Sequence, residues 1–269
     1  MADATDEVDT KAATDLPSTK KKTSPFLNLI PEMKGEICSF LSHSEKFELL
    51  KFILLEGNDE YLLLEHLHSG IRTDDDIHAA VNAWCADPEA AEIEYGHISR
   101  WDTFKVTNMK DLFKDKPYFN DDISQWNVGN VTIMERIFYG ASVFNQTLEG
   151  WNVGNVTIME RMFNGASAFN QPLEQWNVGN VTNMEGMFYG ASAFDQPLEQ
   201  WNVGKVTNME GMFYGASAFN QPLEQWNVGN VTTMEYMFCC ADGLNEVQGK
   251  REVRSGSSMV KKFCGACAF

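Results

Sequence analysis

Positive charge is scarce in this chain: 21 Lys and Arg stand against 38 Asp and Glu in 269 residues, a formal charge of −17. Phosphate-backbone recognition draws on clustered Lys and Arg, so no nucleic-acid partner is expected. Long apolar runs are missing too. No stretch reaches the roughly 18 apolar residues that span a bilayer, and the opening MADATDEVDTKAATDLPSTKKKTSP holds no apolar core of a secretory signal. These gaps predict an intracellular, cytoplasmic protein with no transmembrane segment. Cysteine is sparse, six in all, which excludes a disulfide scaffold. Catalytic signatures are absent as well: there is no HExxH, no phosphate-binding loop and no Gly-x-Ser-x-Gly. The histidines, His43, His66, His68, His78 and His97, all precede Ile98, and a helical reading of their segment puts His66 and His68 on different faces. Neither an enzyme nor a cofactor is expected.

What is present falls into parts. Residues 1–97 carry a net charge of −12 and residues 98–269 only −5. Residues 1–24 are polar and lack aromatics, the composition of a disordered tail. Residues 25–97 carry helical signals: Ser42 with Glu45 reads as a capping box, and Thr73 with Asp76 as another before Ile77, Ala80, Val81 and Trp84. Pro88 suits a first helical turn and Gly96 a helix end.

From Ile98 onward a period takes over. Trp101, Trp126, Trp151, Trp176, Trp201 and Trp226 lie 25 residues apart without one insertion. Phe113, Phe138, Phe163, Phe188, Phe213 and Phe238 keep the same phase, as do Phe119, Phe144, Phe169, Phe194 and Phe219. Fixed spacing predicts an α/β repeat solenoid of 25-residue coils, each unable to bury its apolar face alone. Six coils span 98–250, a degenerate seventh over 251–269 caps the C-terminal end, and the α-helical region 25–97 caps the other. Within a coil, Leu-x-x-Trp-x-Val reads as a short strand and Met-Glu-Gly-Met-Phe as a helical turn.

The unit Leu-x-x-Trp-Asn-Val-x-x-Val-Thr-x-Met-x-x-Met-Phe-x-Gly-Ala-x-x-Phe-Asn, read from Leu198 to Asn220, closely resembles the BspA-like leucine-rich-repeat family. That family is also described as a mycoplasma lipoprotein-associated domain of unknown function. The lead-in from Ala80 to Trp101 looks like the flank before such repeats in proteins of unicellular algae and other protists. The resemblance runs from about Ala80 to Phe269. It implies a leucine-rich-repeat-like solenoid used for protein binding; bacterial members are surface adhesins.

Four cysteines crowd the end of the chain. Cys239, Cys240, Cys264 and Cys267 could form a zinc clip, since Cys264-x-x-Cys267 has a metal-ligand interval, or simply be small thiols filling a cap. Thr107, Thr132, Thr157, Thr182, Thr207 and Thr232 form one polar row, and Asn127, Asn152, Asn177, Asn202 and Asn227 another; both read as side-chain ladders. The stretch Leu29–Phe52 looks loosely like an F-box. The copies starting at Trp176 and Trp201 are almost identical, so specificity is expected at the ends and in the acidic front. Lys105, Lys110, Lys114 and Lys116 mark the first coil, and Arg251, Arg254, Lys261 and Lys262 the last. The function expected is a non-enzymatic protein-protein interaction scaffold that can serve as a subunit of a larger assembly; the alternatives are an F-box-like ubiquitin-ligase adaptor and a cell-surface adhesin.

Overall fold

The computed structural model describes residues 70–243. The tail at 1–24, the helical signals before Gly70, the F-box-like stretch and the seventh coil lie outside the described residues, as do Arg251, Arg254, Lys261, Lys262, Cys264 and Cys267.

The described chain opens with strand β1 (Ile71–Thr73), helix α1 (Ile77–Ala86), helix α2 (Pro88–Tyr95), a 3-10 turn (Ile98–Arg100) and strand β2 (Asp102–Lys105). Helix α1 buries Ile77, Ala80, Val81 and Trp84, a stripe set by helical spacing. Thr73 is not its cap. Asp76 holds the N-cap position, and its carboxylate reaches back to accept the Thr73 N–H at 2.7 Å, which ties the strand to the helix. Helix α2 starts after a single-residue break: Asp87 accepts the Ala90 N–H, Pro88 needs no donor in the first turn, and Gly96 ends it at φ 75°. The two helices cross between strands that pair in parallel, with Ile71 opposite Asp102.

From Trp101 the chain repeats in stacked units. Parallel bridges run Asn108, Ile133, Ile158, Asn183, Asn208, Thr233, one residue per unit. Beyond each bridge the N–H groups of alternate residues donate forward into the next unit: Met134 to Ile158 O at 2.9 Å, Arg136 to Glu160 O at 2.8 Å, Phe138 to Met162 O at 2.9 Å and Gly140 to Asn164 O at 2.7 Å. The intervening N–H groups close local turns, as Tyr139 does onto Arg136 O at 3.1 Å. Left-handed residues cause this division. Arg136, Arg161, Gly186 and Gly211 have φ of 55°, 52°, 54° and 58°, and each breaks the extended zigzag, leaving its stretch bonded in one direction.

Two sequence expectations are corrected here. Pairing between units runs through Met-Glu-x-Met-Phe, read above as a helical turn. The Leu-x-x-Trp stretch, read as a strand, is itself a turn in which the Trp176 N–H donates to Leu173 O at 3.0 Å.

Stacking aligns equal rings. Centroids along the inner phenylalanine row are 5.5 Å apart for Phe113 and Phe138, 5.4 Å for Phe138 and Phe163, and 5.6 Å for Phe163 and Phe188. A second row, Phe144, Phe169 and Phe194, runs beside it at 6.0 Å spacing. Contacts of this kind add about 0.5–1.5 kcal/mol per aromatic pair beyond the area they bury. Each tryptophan is buried but not orphaned: the indole N–H of Trp151 donates to Ile123 O at 3.1 Å, that of Trp176 to Leu148 O at 3.0 Å and that of Trp201 to Leu173 O at 2.9 Å. A continuous apolar core thus runs through every unit and on into α1.

The front region closes the exposed edge of the first unit. In later units the threonine N–H and hydroxyl bond the threonine carbonyl one unit back, as Thr157 does to Thr132 O at 2.9 and 3.2 Å. Thr107 has no unit behind it. The Asp74 carboxylate takes that place, accepting the Thr107 N–H at 2.8 Å, its hydroxyl at 2.6 Å and the Asn108 N–H at 3.1 Å. Desolvation pushes the Asp74 carboxyl up, but these three bonds outweigh it and hold its pKa below the ordinary value. His78 meets the Lys110 carbonyl, the kind of acceptor that receives an N–H from the preceding unit elsewhere, with Nε2 at 2.8 Å. Arg72 lies with its guanidinium carbon 5.3 Å from the Trp101 ring centroid and Nη1 2.7 Å from Asp76. Burial lowers its pKa, with Asp76 opposing the shift.

Candidate functional site

Most surface rows serve the stack. The threonine row does form a ladder, each hydroxyl onto a backbone carbonyl; Thr232 reaches Thr207 O at 2.9 Å. The Asn127 row does not ladder: its carboxamide oxygens accept the N–H two residues on, as Asn152 does for Gly154 at 3.2 Å. Contact between units comes instead from the asparagines three residues later, Asn155 Nδ2 reaching Gly129 O at 2.7 Å. At the corner after the second phenylalanine, Asn145 accepts the Asn170 N–H at 2.9 Å and Gln171 Nε2 at 3.0 Å. Each of these rows repeats one job.

The row that follows the conserved-in-phase Met changes from unit to unit. It reads Lys110, then Glu135, Glu160, Glu185, Glu210 and Glu235; the next residues read Asp111, Arg136, Arg161, Gly186, Gly211 and Tyr236. In the early units these side chains pair across the stack. Lys110 Nζ lies 2.8 Å from Glu135; Arg136 lies 2.9 Å from Asp111 and 2.8 Å from Glu135; Arg161 contacts both Glu160 and Glu185. The chain of ion pairs stops at Glu185. Among the described residues the Glu210 side chain has no partner, for Gly211 brings no guanidinium and Thr233 stands where Asn183 and Asn208 reach Glu160 and Glu185 at 3.1 Å.

A groove of about 530 Å³ opens where the arginines end. Gly186 and Gly211 contribute no side chain to it, and Glu185 and Glu210 face it. Tyr189 and Tyr214 stack beside it, centroids 4.5 Å apart and planes 4° from parallel. Arg161 bounds it in the preceding unit and Tyr236, 49% exposed, in the following one. A hydrogen bond to Cys240 pushes the half-buried Tyr214 phenol up to about 12, so the ring stays neutral at ordinary pH.

The residues expected from sequence fall elsewhere. Trp101, Trp126, Trp151, Trp176, Trp201 and Trp226 are buried, as are Phe138, Phe163, Phe188 and Phe213. Of the basic residues of the first unit, Lys105 leans on Phe104 with Nζ 5.6 Å from the ring centroid, while Lys110 and Lys114 lean on the next unit, Lys114 lying 5.9 Å from the Tyr139 ring centroid. Cys239 is buried and Cys240 exposed, their sulfurs 3.9 Å apart. Sequence reading passed over the groove. Its signal was there, in a row that runs Arg, Arg, Gly, Gly, Tyr directly after a constant row of glutamates.

No curated protein and no solved structure matches the chain. A family model does, over residues 86–198 and again over 169–269, which takes in every unit described above. By that match the chain is a repeat protein and belongs to the family described as Mycoplasma protein of unknown function, DUF285.

Proposed function

We propose that the chain is a non-enzymatic protein-interaction scaffold, a leucine-rich-repeat-like solenoid of the BspA-like kind that binds through the groove between the Trp176 and Trp226 units. One observation carries this reading. Variation between units, the usual source of specificity in repeat proteins, falls on rows that line this groove, Arg161, Gly186, Gly211 and Tyr236 in one and Asn164, Tyr189 and Tyr214 in another, while the threonine row and the buried Trp and Phe rows stay constant. Its groups suit holding a side chain: partly exposed tyrosine rings, which are favoured at interfaces, beside carboxylates that can accept hydrogen bonds. The reading moves recognition from the ends of the stack, where the lysines suggested it, to its later middle.

The test is capture of partners from the native cell by the full chain and by the Tyr189→Ala/Tyr214→Ala double variant, compared by mass spectrometry. The variant is expected to lose the partners while keeping its unfolding temperature. Partners retained by the variant but lost when residues 1–69 are removed would place recognition in the front instead.

A further inference from the structure

We infer that the groove seats the guanidinium of an arginine carried by a partner protein, held by Glu210 beside the Tyr189 and Tyr214 rings. This deepens the interaction reading above and rests on it.

The protein supplies its own pattern for the occupant. At the equivalent position of the two preceding units the side chain is arginine, and each guanidinium bridges acidic groups of adjacent units: Arg136 joins Asp111 to Glu135, and Arg161 joins Glu160 to Glu185. At Gly186 and Gly211 the backbone keeps that conformation, with φ of 54° and 58° against 55° and 52° for the arginines. The acidic row continues past them. What is missing is the cation, and about 530 Å³ stands open in its place.

Glycine is not forced on these positions by the backbone, because Arg136, Arg161 and Tyr236 all accept the same left-handed turn. Its effect is the open space. Glu210, lacking both the arginine and the asparagine that its counterparts use, is the carboxylate left for an external donor. Tyr189 and Tyr214 line the same groove, and a planar guanidinium, which can bond a carboxylate through its fork while lying beside aromatic rings, suits it better than the compact, strongly hydrated ammonium of lysine.

Calorimetric titration of the full chain with a glycine-spaced arginine pentapeptide tests this, with lysine and citrulline counterparts as controls. The citrulline peptide keeps the shape and loses the charge. The arginine peptide should bind at least about ten-fold more tightly than either control, and Glu210→Gln should weaken it by about ten-fold, the loss of one charge-assisted hydrogen bond. Gly211→Arg, which places the protein's own guanidinium in the groove on a backbone that already tolerates arginine, should abolish binding with the unfolding transition retained. Equal binding of the three peptides, no binding of the arginine peptide, or undiminished binding to Gly211→Arg would overturn the assignment. If the arginine peptide fails while the tyrosine double variant still loses its captured partners, the guanidinium falls and the interaction reading stands. If the double variant loses nothing, binding through the groove falls too.

Discussion

The Trp126 and Trp151 units and the Trp176 and Trp201 units share one core and one pattern of backbone bonds, yet present opposite surfaces along a single row. The first pair fills that row with Arg136 and Arg161, each tied to carboxylates. The second pair leaves it empty at Gly186 and Gly211. An open groove arises here by removing side chains from a regular array, not by adding them. Such a device is available only where the backbone is held by its neighbours, so that a residue can be deleted to glycine without loss of shape.

If the two pairs are equivalent inside, Phe163→Ala and Phe188→Ala should each cost about 3–5 kcal/mol, the range for removing a buried ring. Urea unfolding of the two variants measures this. A clear gap between them would break the comparison at the core.

Set against the repeats, the front edge should depend on one exposed carboxylate. Asp74→Ala should cost about 1 kcal/mol, as loss of a helix cap does, since Thr107 and Asn108 then lose their acceptor. Because the folded pKa of Asp74 is depressed, its contribution is present above the unfolded value of about 4 and fades as pH falls through the lower folded value. Melting temperatures from neutral to acid pH should therefore converge for the wild type and Asp74→Ala; parallel curves would show that the carboxylate does not act through its charge.

Arg161→Gly would turn an arginine unit into a glycine unit. Relief of a left-handed non-glycine residue, about 1 kcal/mol, and loss of a half-exposed ion pair, below about 1 kcal/mol, should nearly cancel. Stability should hold while affinity for the arginine peptide rises or extends to longer peptides. Unchanged peptide binding would show that the groove cannot be lengthened this way.

The smallest effect belongs to Lys205, which interrupts the row of asparagines between Asn180 and Asn230 and whose Nζ bonds Asn180 Oδ1 at 2.7 Å. Lys205→Asn should change stability by less than about 0.5 kcal/mol, as surface substitutions usually do. A larger loss would mean that the near-identical units are less alike than they look.

The buried rows could be read from sequence because a core that must pass through every unit forces Trp and Phe into fixed phase. The path of the backbone could not. Met-Glu-x-Met-Phe shows no alternation, since a left-handed residue at its centre diverts every second N–H into a local turn, and arginine occupies that position as readily as glycine. Strand β1 is too short to carry a pattern. The roles of Asp74 and His78 depend on which groups the first unit leaves without a neighbour, a question of space and not of spacing. The groove was visible as letters, but its meaning lay in the paired arginines, which only the stacking of units brings together.

The one-way hydrogen bonds have an electrical consequence. In an ordinary sheet successive peptide groups point opposite ways and their dipoles cancel. Here the bonded peptides from Met134 to Gly140, and their counterparts in later units, send N–H groups toward the chain's later units and carbonyls toward its front, opposed only by the bonds of the threonine row and of residues such as Ala168. Their dipoles add along the stack as they do along a helix. Among the described residues the backbone of the stack is therefore polarised along its length, with its negative pole at the front, where the His78 ring meets the Lys110 carbonyl, and every further copy of the unit would deepen that field.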